Sequence, residues 1–312
     1  MTHHVLQIGG ITDVMKARIE ERFTIHQLDD VDSVGSKITH VATNGHDGVP
    51  AHVLAACPNL QMVACYGVGY DGIDTDVCVA RGVPVSHTPN VLNQEVATTA
   101  VMLMLALYRN LLADDAYVRA GRWAKEGSAP LSRTADGRTV GIIGLGRIGQ
   151  AIADKLAAFD ATVIYHSRNK KDVALEYYAD LTAMARNADV LICITPGGPE
   201  THHLVNREVM DALGPDGTLI NVSRGSVVDE AAMVSALQDG RLGWAGLDVF
   251  EAEPQVPDAL KTMPNVVLLP HVGSGTHETR AAMGGLVVDN LIAHIDKGWI
   301  LTSVPETAHL KP

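Results

Sequence analysis

The stretch TVGIIGLGRIGQ, residues 139–150, predicts a short buried strand, a tight glycine turn and the start of a helix. Gly144, Gly146 and Gly149 have the spacing G-x-G-x-x-G. In that pattern the first glycine permits the turn, the second lets a pyrophosphate approach the backbone, and the third lets helix and strand pack closely. An ordinary strand-to-helix turn is the alternative. An alanine-rich helical run and a further β run follow, so we expect a βαβ unit with a dinucleotide at the helix N-terminus.

Short β runs alternate with helical patterns on both sides of this stretch, which predicts two α/β domains with parallel sheets. We expect one domain to comprise residues 1–98 and 285–312, and the other residues 99–284. Six strands are predicted in the second domain, as in the Rossmann plan: residues 140–143, 162–166, 190–195, 218–222, 245–249 and 266–269.

Two long helical patterns flank the second domain. Residues 93–120 predict one nearly continuous helix, because Val96, Ala100, Met104, Leu107 and Leu111 share a face, and residues 276–297 predict another. Trp123 follows the first pattern. It is interpreted either as part of a partner surface or as the cap of a local apolar cluster.

Composition narrows the class of protein. The chain has 312 residues, 46% of them hydrophobic, and a net charge of −12, which argues against a nucleic-acid or anionic-membrane partner. The four cysteines form no metal-like cluster and lie in apolar runs, so we expect reduced, buried thiols and a cytoplasmic location.

In the second predicted domain, the second strand ends in YHSRNKK, residues 165–171. NAD-preferring folds usually place an acid here to bind the ribose 2′-hydroxyl. Ser167 and Arg168 stand here instead and suit the 2′-phosphate of NADP, because a guanidinium pairs with phosphate and a hydroxyl donates to it. A solvated basic turn is the alternative. We expect NADP(H), with NAD(H) as the second choice.

Polar residues also follow three later strands, in NVSRG (221–225), DVFEAEP (248–254) and LPHVGS (269–274). Because the carboxyl ends of parallel strands share one sheet edge, these residues are expected to meet beside the cofactor.

The ordered set GLGRIGQ, NVSRG, DVFEAEP and LPHVGS resembles the D-isomer-specific 2-hydroxyacid dehydrogenases, and within them the NADPH-preferring glyoxylate/hydroxypyruvate reductases. The resemblance extends over most of the chain. It implies two Rossmann-like or flavodoxin-like domains, the first substrate-binding and the second nucleotide-binding. It also implies an active site in the interdomain cleft and a homodimer formed through the residue 93–120 helix and the Trp123 region.

The resemblance also implies the site residues. The catalytic set falls on Arg224, Glu253 and His271. The substrate-binding residues are Arg224, His271 and the backbone of Val68 and Gly69. Without the resemblance, the loop that contains Val68 and Gly69 would be interpreted as a plain glycine turn. The residues expected to contact the cofactor are Gly144, Leu145, Gly146, Arg147, Ile148, Gly149, Ser167, Arg168, Thr195, Pro196, Val222, Ser223, Arg224, Asp248 and Gly273.

These residue types fit the reduction of a 2-oxo acid, which needs a hydride at C2 and a proton at its oxygen. His271 would donate the proton, Glu253 would favour the charged imidazole, and Arg224 would polarise the carbonyl. Glyoxylate or hydroxypyruvate is the expected substrate. Phenylpyruvate-type acids, phosphoglycerate or a non-catalytic nucleotide-sensing corepressor are the alternatives. We expect no metal, because the histidines, including the pair His202-His203, lack ligand spacing with nearby cysteines or carboxylates.

Overall fold

The computed structural model describes residues 3–310, which form two compact units. One unit contains the residues up to Leu92 and those from Ser274 onward; the other runs from Asn93 to Gly273. The predicted boundaries at 98/99 and 284/285 are corrected, because they would cut through the helices Asn93–Tyr108 and His277–Lys297. Each helix is a single hydrogen-bonded body and belongs whole to one unit.

The first unit is built on a five-stranded parallel sheet with the strand order β2-β1-β3-β4-β5, the flavodoxin-like order. Its strands are β1 (His3–Gln7), β2 (Phe23–Gln27), β3 (His40–Thr43), β4 (Met62–Cys65) and β5 (Val85–Ser86). Its first helices are α1 (Asp13–Glu20), α2 (Val31–Val34), α3 (Ala51–Ala56) and α4 (Thr75–Ala80). The central strands β3 and β4 are buried along their whole length, as expected for a parallel sheet that is covered on both faces.

The second unit is built on a seven-stranded parallel sheet with the strand order β12-β11-β10-β9-β6-β7-β8. Its strands are β6 (Thr139–Ile143), β7 (Thr162–His166), β8 (Glu176–Tyr177), β9 (Val190–Cys193), β10 (Thr218–Asn221), β11 (Trp244–Leu247) and β12 (Val266–Leu268). The prediction of a Rossmann sheet is confirmed. The predicted count of six is wrong because β8 is a two-residue edge strand, too short to show any periodicity.

Helices of the second unit are α5 (Asn93–Tyr108), α6 (Leu111–Arg119), α7 (Arg122–Glu126), α8 (Arg147–Leu156), α9 (Leu181–Arg186), α10 (Arg207–Leu213), α11 (Glu230–Gln238) and α12 (Asp258–Thr262). The chain then returns to the first unit through α13 (His277–Lys297), which begins at a Thr276 cap and ends at Gly298.

The prediction of one continuous helix over residues 93–120 is wrong. Asn110 adopts a left-handed conformation with φ +51°, which ends α5 and starts α6 at a bend of 59°. Asparagine tolerates this conformation better than other residues with a side chain. Over residues 3–310 no single helix is long and apolar enough to cross a membrane; α5 and α6 reach that length and composition only as this bent pair.

All four cysteines are buried, as predicted. Burial raises the pKa of Cys193 to about 12 and that of Cys78 to about 11, so both thiols are protonated at neutral pH.

Candidate active site

The predicted site residues of the second unit lie at one edge of its sheet. They follow the carboxyl ends of six parallel strands: the glycine turn after β6, Ser167 and Arg168 after β7, Thr195 and Pro196 after β9, Val222 to Arg224 after β10, Asp248 and Glu253 after β11, and His271 after β12. This is the edge at which open α/β sheets bind ligands.

The glycine turn has the geometry of a phosphate cradle. Gly144 has φ +100°, and a Cβ on Gly149 would overlap the carbonyl oxygen of Gly144. At Gly146, by contrast, a Cβ would meet no atom within 4 Å. Helix α8 begins at Arg147 without a side-chain cap, so no capping side chain satisfies its first N–H groups. Leu145 is buried, so it can contribute to a nucleotide site only through its backbone.

Thr195 also supports a nucleotide site beside the glycine turn. Its hydroxyl oxygen is buried and has no hydrogen-bond partner in the described chain, and its methyl group lies against Gly144. Buried polar atoms are almost always hydrogen-bonded, so an orphaned hydroxyl beside the glycine turn is where a bound nucleotide would complete the bonding. Pro196, the next residue, is exposed.

Ser167 and Arg168 follow β7 as predicted, but both already have partners. The Ser167 hydroxyl donates to the carbonyl of Asn169 at 2.7 Å. Arg168 pairs with Glu200 at 2.7 Å, and the two side chains are 79% and 76% exposed. The sequence contains no acid at the usual NAD position, yet the fold brings a carboxylate from residue 200 to the guanidinium. The pair is exposed and therefore weak, so Arg168 can exchange Glu200 for a phosphate.

A side-chain network shapes the turn that carries Arg224. The side-chain oxygen of Asn221, Oδ1, accepts hydrogen bonds from the N–H and the hydroxyl of Ser223. Its side-chain nitrogen, Nδ2, donates to the backbone carbonyl of Arg224. A Cβ on Gly225 would overlap the backbone of Phe250, so this turn packs directly on the turn after β11. Neither Asn221 nor Gly225 has a role that was predicted from the sequence, although both belong to the NVSRG motif.

Asp248 fixes the turn after His271. Its carboxylate oxygens accept the N–H groups of Val272 and Gly273 at 2.7 and 2.8 Å, and its carbonyl accepts the His271 N–H. Burial raises the pKa of Asp248, and the two backbone hydrogen bonds oppose that shift. The predicted contact of Asp248 with a nicotinamide carboxamide stays a prediction, as does the cofactor contact of Gly273.

His271 and Glu253 form the central contact of the site. The His271 Nδ1 atom lies 2.7 Å from Oε2 of Glu253, whose other oxygen accepts the Phe250 N–H at 3.0 Å. Glu253 is largely buried, whereas the His271 side chain is 43% exposed. A cavity of about 120 Å³ borders this pair, lined also by Phe250, Pro254 and Pro270. The geometry fits a carboxylate that orients an imidazole whose other nitrogen is available for proton transfer.

Val68 and Gly69 lie in the first unit, in the loop after β4. The Val68 carbonyl contacts Nδ1 of His87 at 3.1 Å, and the Gly69 carbonyl accepts a weak bond from the Cys65 thiol. Among the described residues, the N–H groups of Val68 and Gly69 have no hydrogen-bond partner. Two free N–H groups in a glycine loop suit an anion. Their part in substrate binding stays a prediction.

Comparison with known proteins places these motifs in a family. The family model described as "D-isomer specific 2-hydroxyacid dehydrogenase, NAD binding domain" matches residues 101–273. The chain is 45% identical to a hydroxyphenylpyruvate reductase of Plectranthus scutellarioides over 308 residues, covering 96% of this chain and 98% of the relative. It is 43% identical to a 2-ketogluconate reductase of Gluconobacter oxydans over 304 residues, with the same coverage.

A solved structure agrees along nearly the whole chain. The NADPH-dependent glyoxylate/hydroxypyruvate reductase of Sinorhizobium meliloti, in complex with NADP and malonate, superposes with a TM-score of 0.94 at 45% identity. The match covers 98% of each chain.

Proposed function

The chain belongs to the D-isomer specific 2-hydroxyacid dehydrogenase family and is an NAD(P)-dependent 2-hydroxyacid oxidoreductase; from this premise we propose that it reduces glyoxylate or hydroxypyruvate with NADPH. The observation that carries the proposal is the Glu253–His271 contact, which lies on the sheet edge where the glycine turn begins. The proposed acid–base and nucleotide-binding groups thus lie at the same edge of one sheet.

His271 is the proposed proton donor. With its Nδ1–H donated to Glu253, its Nε2 is the nitrogen that exchanges a proton with the substrate oxygen. Glu253 holds the imidazole in this orientation through the same contact. In the reverse direction the same nitrogen would act as the base.

Arg224 is the proposed electrophile. It follows β10 on the turn that Asn221 stabilises, where a guanidinium can pair with the substrate carboxylate and stabilise negative charge that develops on the carbonyl oxygen. The backbone N–H groups of Val68 and Gly69 are proposed as further carboxylate contacts.

NADPH is the proposed hydride donor; when bound, its nicotinamide supplies the hydride to C2. The residues that would hold it are the glycine turn, Thr195, and Ser167 with Arg168. Open space at Gly146, the orphaned Thr195 hydroxyl and the absence of an acid directly after β7 support the fit. The Sinorhizobium meliloti relative, which is NADPH-dependent, supports the preference for NADPH.

One assay separates the candidate functions. Oxidation of NADPH and NADH is followed with glyoxylate, hydroxypyruvate, phenylpyruvate, hydroxyphenylpyruvate and 2-ketogluconate, and oxidation of 3-phosphoglycerate is tested with NADP and NAD. We expect the highest kcat/KM for glyoxylate or hydroxypyruvate with NADPH. A higher value for a larger acid would assign the substrate differently. Tight NADPH binding without turnover of any acid would favour a nucleotide-sensing role.

A homodimer is proposed through the exposed apolar surface of the second unit. Leu111 and Leu112 on α6, Trp123 on α7 and Leu131 expose large apolar side chains, with Trp123 at 64% and Leu131 at 97%. Such exposure does not fit the interpretation of Trp123 as the cap of an apolar cluster. A second copy of this chain would bury these side chains, which a monomer rarely leaves in water together.

A cytoplasmic location is also proposed. It rests on the burial of all four cysteines in apolar runs, which suits the reduced thiols of a reducing compartment. Fractionation of cells that express the protein at its native level tests it; recovery from an oxidising compartment would contradict it.

A further inference from the structure

The second unit brings together two histidines and a glutamate that take no part in the catalytic contact. Ligand atoms of His202, His203 and Glu251 all lie within 4.8 Å of one another, and Nε2 of His203 is 2.8 Å from Oε1 of Glu251. The sequence predicts no metal here, because these histidines lack ligand spacing with a nearby cysteine or carboxylate. The fold supplies one from 48 residues further along the chain.

An unusual backbone conformation aligns the two imidazoles. Side chains of consecutive residues in an extended chain point to opposite sides. His203 instead has φ +50°, and the rings of His202 and His203 stack at 3.9 Å with an interplanar angle of 26°. The His203 N–H donates to the carbonyl of Ser226, which anchors the turn. A left-handed conformation is unfavourable for a residue with a side chain and is often found where function requires the geometry.

The charge around the cluster favours a cation. The Glu251 N–H donates to the carboxylate of Glu230, and Glu253 lies two residues further along the same turn. Glu251 therefore contributes a carboxylate in a locally acidic region. Neither ring nitrogen of His202 has a hydrogen-bond partner in the described part of the chain, and its side chain is exposed.

We propose that His202, His203 and Glu251 bind a divalent transition-metal ion of the zinc type. Two imidazole nitrogens and one carboxylate oxygen form a three-ligand set of the kind that holds zinc and leaves coordination positions open to water. Exposure of the cluster fits such an open site better than a closed structural one. A bound ion would join the turn at 202–203 to the turn at 251–253 and stabilise the second unit.

The test uses the full chain without an affinity tag, because added histidines would bind the same ions. Zn²⁺ binding is measured by calorimetry, and Co²⁺ is added separately because its visible absorption reports imidazole and carboxylate coordination. His202→Ala and Glu251→Gln are compared with His52→Ala, which removes an exposed histidine of the first unit. Circular dichroism and NADPH binding establish that each variant is folded.

Wild type and His52→Ala are expected to bind one zinc ion with the same affinity at this site. His202→Ala and Glu251→Gln are expected to lose more affinity than the roughly 10–100-fold that follows loss of an outer-shell partner. Zinc is also expected to raise the Tm of wild type but not of His202→Ala, because binding to the folded state stabilises it.

Absence of zinc binding by wild type in the sub-millimolar range would overturn the proposal. Unchanged affinity in the folded His202→Ala and Glu251→Gln proteins would overturn it as well, since the ion would then bind elsewhere. The proposal stands apart from the assigned reduction, because the readouts are metal affinity and Tm.

Discussion

The Nδ1 atom of His271 lies 2.7 Å from Oε2 of Glu253, although the two residues follow different strands, β12 and β11. His271 reaches this position with φ +54°, and Asp248 holds the turn by accepting the N–H groups of the next two residues. Glu253 is itself held by the Phe250 N–H. The imidazole is therefore oriented by a carboxylate that the backbone has already positioned.

Replacing the proton donor should separate catalysis from cofactor binding. His271→Gln keeps a polar side chain but cannot supply a proton, so kcat should fall by roughly 10²–10⁴-fold. The Kd for NADPH, measured by fluorescence titration, should stay at the wild-type value. His277→Gln, an exposed histidine at the start of α13, serves as the control and should retain full activity. Activity within a few-fold of wild type in His271→Gln would contradict the assignment.

The carboxylate can be tested through its charge. Glu253→Gln retains an oxygen that can accept the His271 Nδ1–H but removes the negative charge beside the imidazole. We expect kcat to fall, but by less than in His271→Gln, with little change in KM. Steady-state kinetics at fixed NADPH measures both. An unchanged kcat would assign Glu253 a structural role only.

An added methyl group should lower cofactor affinity at Gly146 but fold stability at Gly225. Gly146→Ala places a Cβ in open space, so Tm should be unchanged while NADPH affinity falls at least about tenfold, or about 1.4 kcal/mol. Gly225→Ala places a Cβ in the Phe250 backbone and should destabilise the fold by about 1–3 kcal/mol. Thermal unfolding and NADPH titration measure both. Equal NADPH affinity in Gly146→Ala and wild type would contradict the phosphate cradle.

The strand-end residues were predictable because parallel strands place their carboxyl ends at one edge, and the motifs mark those ends. The position of Arg224, Asp248 and His271 at that edge needed only this rule, whereas their roles rest on the family resemblance. The break at Asn110 was not predictable in the same way, because the apolar face continues through Leu111 and a single dihedral angle decides the end of α5.

Contacts between residues far apart in the sequence could not be predicted from the spacing of residues along the chain. Arg168 and Glu200 are 32 residues apart, and His203 and Glu251 are 48 apart. Periodicity indicates which element a residue lies on, but not which loops meet at a sheet edge. The network of Asn221 was likewise missed, because its side chain acts on its own turn and not on a ligand.

The guanidinium of Arg168 should determine the preference for NADPH. Arg168→Gln should raise the KM for NADPH by roughly 10–150-fold, the range expected for loss of hydrogen bonds to a charged group at about 1.5–3 kcal/mol. The KM for NADH should change little. Glu200→Gln is the matched control: it breaks the same ion pair but retains the cation, so NADPH should bind at least as well as in wild type. Equal losses in both variants would indicate that the pair matters only for structure.

The proposed homodimer can be disrupted at its exposed apolar side chains. The double variant Trp123→Asp with Leu131→Asp should run as a monomer, because both side chains would bring charge into a buried interface. Size-exclusion chromatography with light scattering gives the mass. Val14→Asp, also exposed but on α1, should remain dimeric. A monomeric wild type, or a folded double variant that stays dimeric, would exclude this surface as the interface.

The buried His40 should make the protein sensitive to acid. Burial, followed by the neighbouring His294 and His3, lowers the pKa of His40 from 6.5 to about 3. Its ring nitrogens contact Thr39 at 2.9 Å and His294 at 3.0 Å, and the Phe23 ring lies 5.1 Å away. The folded state therefore holds His40 neutral, whereas the unfolded chain takes up a proton below about pH 6.5.

The free energy of unfolding should consequently fall as the pH drops from 6.5 towards 3, by about 1.4 kcal/mol per pH unit for this one proton. The lowered pKa values of His294 and His26 add to the slope. Urea unfolding at several pH values measures it. His40→Gln should lower the slope by the contribution of about one proton, whatever its effect on stability at pH 7. An unaltered slope in His40→Gln would show that other groups bind the proton, because the glutamine amide does not titrate in this range.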